Sequence, residues 1–332
     1  MPAPILTALA PIALTVAASL PFAGQAGAQD MAPEEAPAPA PLPPLPDELV
    51  LEGDNIITVL LNGVPVRLEV SSDSFGPPII NSELAVRLGL IAETRRGWRF
   101  GPVGVEGVSA VQSLDFGDGQ PVAMTISWAE RFASRKADGV IGVHNLPFKQ
   151  VTFAFAPAQG ESSVQRFPLA RSGGRGDTRL GTEVVVGKKR LMMVFAPQRA
   201  ENLVTAPTAN FIATHQEGGF APGTDGIAVM NFAIERPTRI MRIAEPIMLG
   251  DMAVDSFAVR VEDYGDPKRV GEIGDNDPRF DKGQILVSRR KGRGSPDLLT
   301  RIGRDQIAQC SQLTFDLALS EIRLSCAAPP AE

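Results

Sequence analysis

Gly63-Val64-Pro65-Val66-Arg67-Leu68-Glu69-Val70-Ser71-Ser72-Asp73-Ser74-Phe75-Gly76-Pro77-Pro78-Ile79-Ile80 is the stretch on which the fold turns. It opens at a glycine turn. Val66, Leu68 and Val70 then alternate with polar residues, which predicts a strand with one buried face. A polar loop follows. Asn81-Ser82-Glu83-Leu84-Ala85-Val86-Arg87-Leu88-Gly89-Leu90 reads as a short helix, with Asn81 or Ser82 as N-cap and Gly89 just past its end.

Upstream, Leu51 to Val70 reads as two strands joined at the tight-turn pair Asn62-Gly63. Downstream come a Gly-spaced hairpin led by Trp98 and Phe100, a strand ending in Leu114-Asp115-Phe116-Gly117-Asp118, and a strand over Met124 to Trp128. Asp138-Gly139-Val140-Ile141-Gly142 and the alternating strand Val151 to Phe155 follow.

Past a Gly-rich junction at Ser172 to Asp177 the same grammar restarts. Gly187 opens a strand ending at Phe195, and Ala196-Pro197-Gln198-Arg199-Ala200-Glu201-Asn202 forms a polar loop. A short helix is expected from Ala206 to Thr214, capped by Thr205. Ile247-Met248-Leu249-Gly250-Asp251 echoes the earlier Leu114 to Asp118, and Ile285 to Ser288 sits where Gly139 to Gly142 sat. Leu298 to Asp305 and a terminal hairpin close the chain. A repeat this long predicts two homologous halves, not a solenoid.

This order of elements resembles the pepsin/retropepsin family of aspartic proteases in a bacterial, two-lobed form, over Leu49 to Cys326. The resemblance implies an all-β fold with few short helices, two homologous lobes, a cleft between them and a C-terminal β-hairpin. In the family each lobe supplies one Asp from an Asp-Thr/Ser-Gly loop. The two carboxyl groups share a proton, because like charges held that close cannot both ionise. The motif Asp138, Gly139, Gly142 would back the catalytic loop, and Trp98 and Phe100 would open the flap, or else pack the base of its hairpin.

The dyad is missing from its expected places. Counting from Gly63 puts Ser71 at the Asp position, and counting back from Ile79-Ile80 puts Ser72 there. Asp73 lies one or two places late, with Phe75 where glycine is needed, and reaches the cleft only if the register slips by two. In the second half the count falls on Phe195 or Ala196. No Asp-Thr-Gly or Asp-Ser-Gly occurs anywhere. The resemblance therefore implies a non-catalytic, protease-like protein that binds a peptide or extended polymer. Its pseudo-active site would be lined by Ser71, Ser72, Asp73, Ala196 and Gln198. Two alternatives stand beside it: a divergent aspartic-type endopeptidase using Asp73 or an unrecognised dyad, and a structural, complex-forming envelope protein.

Length and composition suit this reading. The chain has 332 residues, 44% of them hydrophobic and 6% aromatic, with frequent glycine and proline. That favours short strands and many turns over helical bundles. A net charge of −6 gives no global bias toward nucleic acid. Cys310 and Cys326 lie symmetrically about Ala318, so a hairpin turning there would bring them together as a disulfide; two reduced, buried thiols are the other reading.

Residues 1–28 are expected to be a signal peptide, from the apolar run Ile5 to Leu20 and the Ala26-Gly27-Ala28 cleavage site. The product would be periplasmic or secreted, or anchored by an uncleaved N-terminus. Residues 29–48 read as a Pro/Ala-rich tether, 49–171 as the first lobe, 172–179 as the junction, 180–327 as the second lobe and 328–332 as a tail. No cofactor, metal, nucleic acid or membrane span beyond the leader is expected, and the chain reads as a monomer. The two histidines, His144 and His215, lack a G-x-S-x-G partner turn and read as structural. Asp275-Asn276-Asp277 with Asp281, and the basic run Arg289-Arg290-Lys291 with Arg293, read as solvated loops.

Overall fold

In the computed structural model the described residues are 42–155, 162–173, 177–261 and 298–327. The leader, most of the tether, the centre of the junction, Asp275 to Asp281, Ile285 to Ser288, Arg289 to Arg293 and the tail lie outside them.

The described chain is almost entirely β-structure. Its first half runs β1 (Glu48–Glu52), β2 (Ile56–Leu61), β3 (Val64–Ser71), β4 (Ile79–Asn81), α1 (Ser82–Arg87), β5 (Thr94–Phe100), β6 (Val103–Asp115), β7 (Val122–Ala129), β8 (Gly139–Gly142) and β9 (Gln150–Ala154). Two connecting strands follow, β10 (Ser162–Pro168) and β11 (Ala170–Ser172). The second half runs β12 (Arg179–Val186), β13 (Lys189–Phe195), β14 (Leu203–Thr205), α2 (Ala206–Gln216), β15 (Gly218–Met230), β16 (Ile234–Leu249), β17 (Met252–Arg260), β18 (Leu299–Ile302), β19 (Cys310–Asp316) and β20 (Glu321–Ala327).

Two sheets are built on one plan. The first has the order β2-β3-β8-β4-β7-β6-β5, and the second repeats it as β12-β13-β18-β14-β17-β16-β15, with β11 added beyond β12. The sense of pairing repeats as well. β3 runs parallel to β8 as β13 does to β18, and β4 lies antiparallel to β8 as β14 does to β18. A third sheet, β1-β9-β19-β20-β10, takes strands from both ends of the chain.

Local chemistry accounts for the repeat. Asn62 and Gly63 both adopt left-handed backbone angles, φ 50° and 79°, as a two-residue turn twisted to match its strands requires. Val66, Leu68 and Val70 are buried on one face of β3. Gly187 turns β12 into β13 in the same way, at φ 57°. Each short strand after the polar loop, β4 or β14, leads directly into a helix. At α2 the Thr205 hydroxyl accepts a bond from the Thr208 amide, and the helix runs two residues beyond the expected Thr214. At α1 the expectation needs correcting. Asn81 stands at the N-cap position but makes no capping bond. Its amide instead donates to Ser134 O and Ala137 O, and its oxygen accepts from the Ala133 and Ser134 amides, which ties that loop to the helix start.

A second correction concerns the strand equivalent to β8. The slot between β13 and β14 is filled by Leu299–Ile302, not by Ile285 to Ser288. Thr300-Arg301-Ile302-Gly303 therefore matches Gly139-Val140-Ile141-Gly142. Leu298 and the residues after it do not stand in the place of the first half's closing segment.

The motif around β8 is mechanically central. The Asp138 carboxylate accepts from the Arg67 amide at 2.9 Å and lies 3.7 Å from the Arg87 guanidinium, linking β3 to α1. Gly139 is wedged against β4: a Cβ there would sit 2.5 Å from Ile79 O and 2.8 Å from the Ile80 Cα. Gly139→Ala should therefore destabilise the protein by about 2 kcal/mol by forcing β4 off β8. Urea unfolding measures this.

At the C-terminus Cys310 pairs with Cys326 across β19–β20, and the two are joined as a disulfide. Among the described residues no helix is long and apolar enough to cross a membrane.

Candidate functional site

The site lies where β3 and β13 run out into their loops. Register defines the equivalent positions. Leu68 faces Gly139 and Ser71 faces Gly142; Met193 faces Thr300 and Phe195 faces Ile302. Ser71 and Ala196 are thus the matching residues of the two halves, and Asp73 matches Gln198. Across the site the Ser72 hydroxyl donates to Phe195 O at 2.6 Å, and the Gln198 amide donates to Ser71 Oγ at 3.3 Å. Ser71, Ser72, Asp73, Ala196 and Gln198 therefore come together as a set, although Ser72 and Ala196 are buried beneath the surface of the site.

Asp73 is 5% exposed. Both its carboxylate oxygens accept from Arg301 Nε, at 2.7 and 2.9 Å, and Oδ2 lies 3.4 Å from Arg199 Nε. Arg301 is itself 8% exposed. A carboxylate enclosed this way is fixed in its charged form by two cations, and its lone pairs point at them. Burial pushes the Arg199 guanidinium below its ordinary value; the charge of Asp73 opposes this and that of Arg301 adds to it. Arg199 also donates to Val229 O at 2.8 Å, so it couples the loop to β15.

Neither arginine was among the residues singled out from the sequence. Arg301 had a signal. Once Thr300-Arg301-Ile302-Gly303 is matched to Gly139-Val140-Ile141-Gly142, a charge occupies an apolar position in a central strand, and a buried charge requires a partner.

Above Ser71, Gln198 and Arg199 lies a cavity of about 350 Å³, walled by Phe132, Val229 and Phe232 among others. A second cavity, also about 350 Å³, adjoins it and shares Gln198, Arg199 and Val229. Together they form a groove bordered by β15, the last strand of its sheet. Phe132 and Val229 are exposed on its rim, at 47% and 56%.

Trp98 and Phe100 do not line this groove. They pack on Phe232, at the tip of the β15–β16 hairpin, with ring centroids 4.8 and 6.1 Å away. Phe232 and Ala233 hold left-handed angles there, φ 62° and 50°. The hairpins β5–β6 and β15–β16, equivalent in the two sheets, thus meet through an aromatic cluster. His144 lies beside the first loop, its Nε2 3.1 Å from Gly76 O, and His215 caps the end of α2 through Phe211 O. Among the described residues no cluster of three or more His, Cys, Asp or Glu side chains is arranged to hold a metal.

No family model matches the chain, and no curated protein does. Among solved structures it is similar to EIAV protease complexed with the inhibitor HBY-793. The match has 16% identity and a TM-score of 0.21, and covers 27% of this chain and 82% of that one.

Proposed function

We propose that this chain is a two-lobed, pepsin/retropepsin-like protein that binds an extended peptide or similar polymer in the groove above Ser71 and Gln198 without cleaving it. The two sheets of identical order support the two-lobe reading. The observation that carries the functional reading is the pairing of Asp73 with Arg301 and Arg199. The matching positions Ser71 and Ala196 carry no acid, and the nearby carboxylate is committed to two guanidinium groups. A shared-proton pair needs two carboxyl groups in contact, and this floor offers none.

The groove retains what extended-chain binding needs: the outer edge of β15 for backbone pairing and apolar side chains on its rim for selection. The disulfide supports an exported protein acting in an oxidising compartment.

Fluorescence anisotropy with a labelled library of short random peptides tests the reading. Saturable binding is expected. The double substitution Phe132→Ala/Val229→Ala, confined to exposed rim residues, should weaken it about tenfold with unchanged unfolding. Absence of binding, or equal binding by the double variant, would overturn the reading.

A further inference from the structure

A third cavity, about 460 Å³, runs along β5 and is separate from the groove. It is lined by Arg95, Arg96, Arg99 and Arg179, with Phe75 and Trp98 as aromatic walls and Asp177 as its one acid. Four cations against one anion is a local excess of three positive charges, in a chain whose net charge is −6.

The arginines are not equivalent. Asp177 engages Arg96 at 2.8 Å. The Arg179 guanidinium is held flat over the Phe75 ring, 4.2 Å from its centroid. Arg95 and Arg99 are exposed and make no hydrogen bond or ion pair among the described residues. They lie four apart on one face of a strand, with Gly97 between them. No side chain fills the space at Gly97, where the nearest atom to an added Cβ is Val105 O at 3.8 Å. Two uncommitted guanidinium groups therefore flank a gap over an aromatic wall. Like charges gathered in a concave site raise the local concentration of anions, and guanidinium forks match carboxylate and phosphate oxygens two at a time.

We propose that this cavity binds a small polyanion carrying at least two carboxylate or phosphate charges, gripped by Arg95 and Arg99 with Arg179 behind them. The site is independent of the groove and of what the groove binds.

Calorimetric titration of the full chain with citrate and, separately, with inorganic phosphate at constant ionic strength tests it. One saturable site is expected for at least one probe. Stronger citrate binding assigns the charges to carboxylates, and stronger phosphate binding assigns them to phosphate. Arg95→Gln/Arg99→Gln should weaken that binding about tenfold or more and leave the thermal midpoint unchanged, since both side chains are exposed. The single variant Arg99→Gln, with an intermediate loss, serves if the double variant is poorly behaved. No saturable heat from either probe, or equal affinity in the variants, would overturn the proposal.

Discussion

Arg301→Met should lower the free energy of unfolding by about 3 kcal/mol, read as a shift of the urea midpoint at constant slope. The substituted side chain matches arginine's stem in bulk, so the loss does not come from a hole. It comes from Asp73, which stays buried with its better partner gone. Arg199, at 3.4 Å, keeps the carboxylate from being wholly unpaired, and this holds the cost near the lower end for a broken buried ion pair. Adding Asp73→Asn to Arg301→Met removes the stranded charge and should return part of the loss. A double variant less stable than Arg301→Met alone would show that the pair is not the unit that matters. Because Asp73 sits in the loop after β3 and Arg301 in β18, the pair joins the two repeats.

Phe232→Ala should cost about 3 kcal/mol and shift tryptophan emission to the red. Phe232 is 2% exposed and fills the space between Trp98 and Phe100. Removing its ring leaves a hole in the cluster that joins the β5–β6 and β15–β16 hairpins, and water reaches Trp98. The chain has two tryptophans, so a Trp128→Phe background assigns the emission to Trp98. The left-handed backbone at Phe232 is held by this packing. An unshifted spectrum and unchanged stability would mean that the hairpins do not depend on each other.

Much of the architecture was legible because the repeat is written in turn residues and alternation. Asn62-Gly63, the face of Val66, Leu68 and Val70, and Thr205 ahead of α2 each predict their element by local physics, and each element forms. So does the terminal hairpin with its cysteine pair. What was not legible depends on contacts between distant segments. The sequence spacing leaves Ser71 and Ser72 as alternatives for one position. Strand pairing decides the equivalence in favour of Ser71 with Ala196, because register is set by which strands meet. Asn81 looks like a cap from its neighbours, yet its side chain is claimed by a loop 53 residues away. Arg301 stands 228 residues from Asp73, and no local pattern ties one to the other. The candidate site was thus readable as a set of loop residues, and the ion cluster that governs its chemistry was not.

The most direct test of the central claim is a cleavage assay. Folded protein is incubated with a quenched-fluorescent peptide library from about pH 3 to 7, where a shared-proton carboxyl pair operates, beside Asp73→Asn. The account predicts no cleavage by either protein at any pH. Cleavage by the unsubstituted protein that disappears in Asp73→Asn would contradict it, and would mean that Asp73 leaves its arginines to act as a catalytic carboxylate.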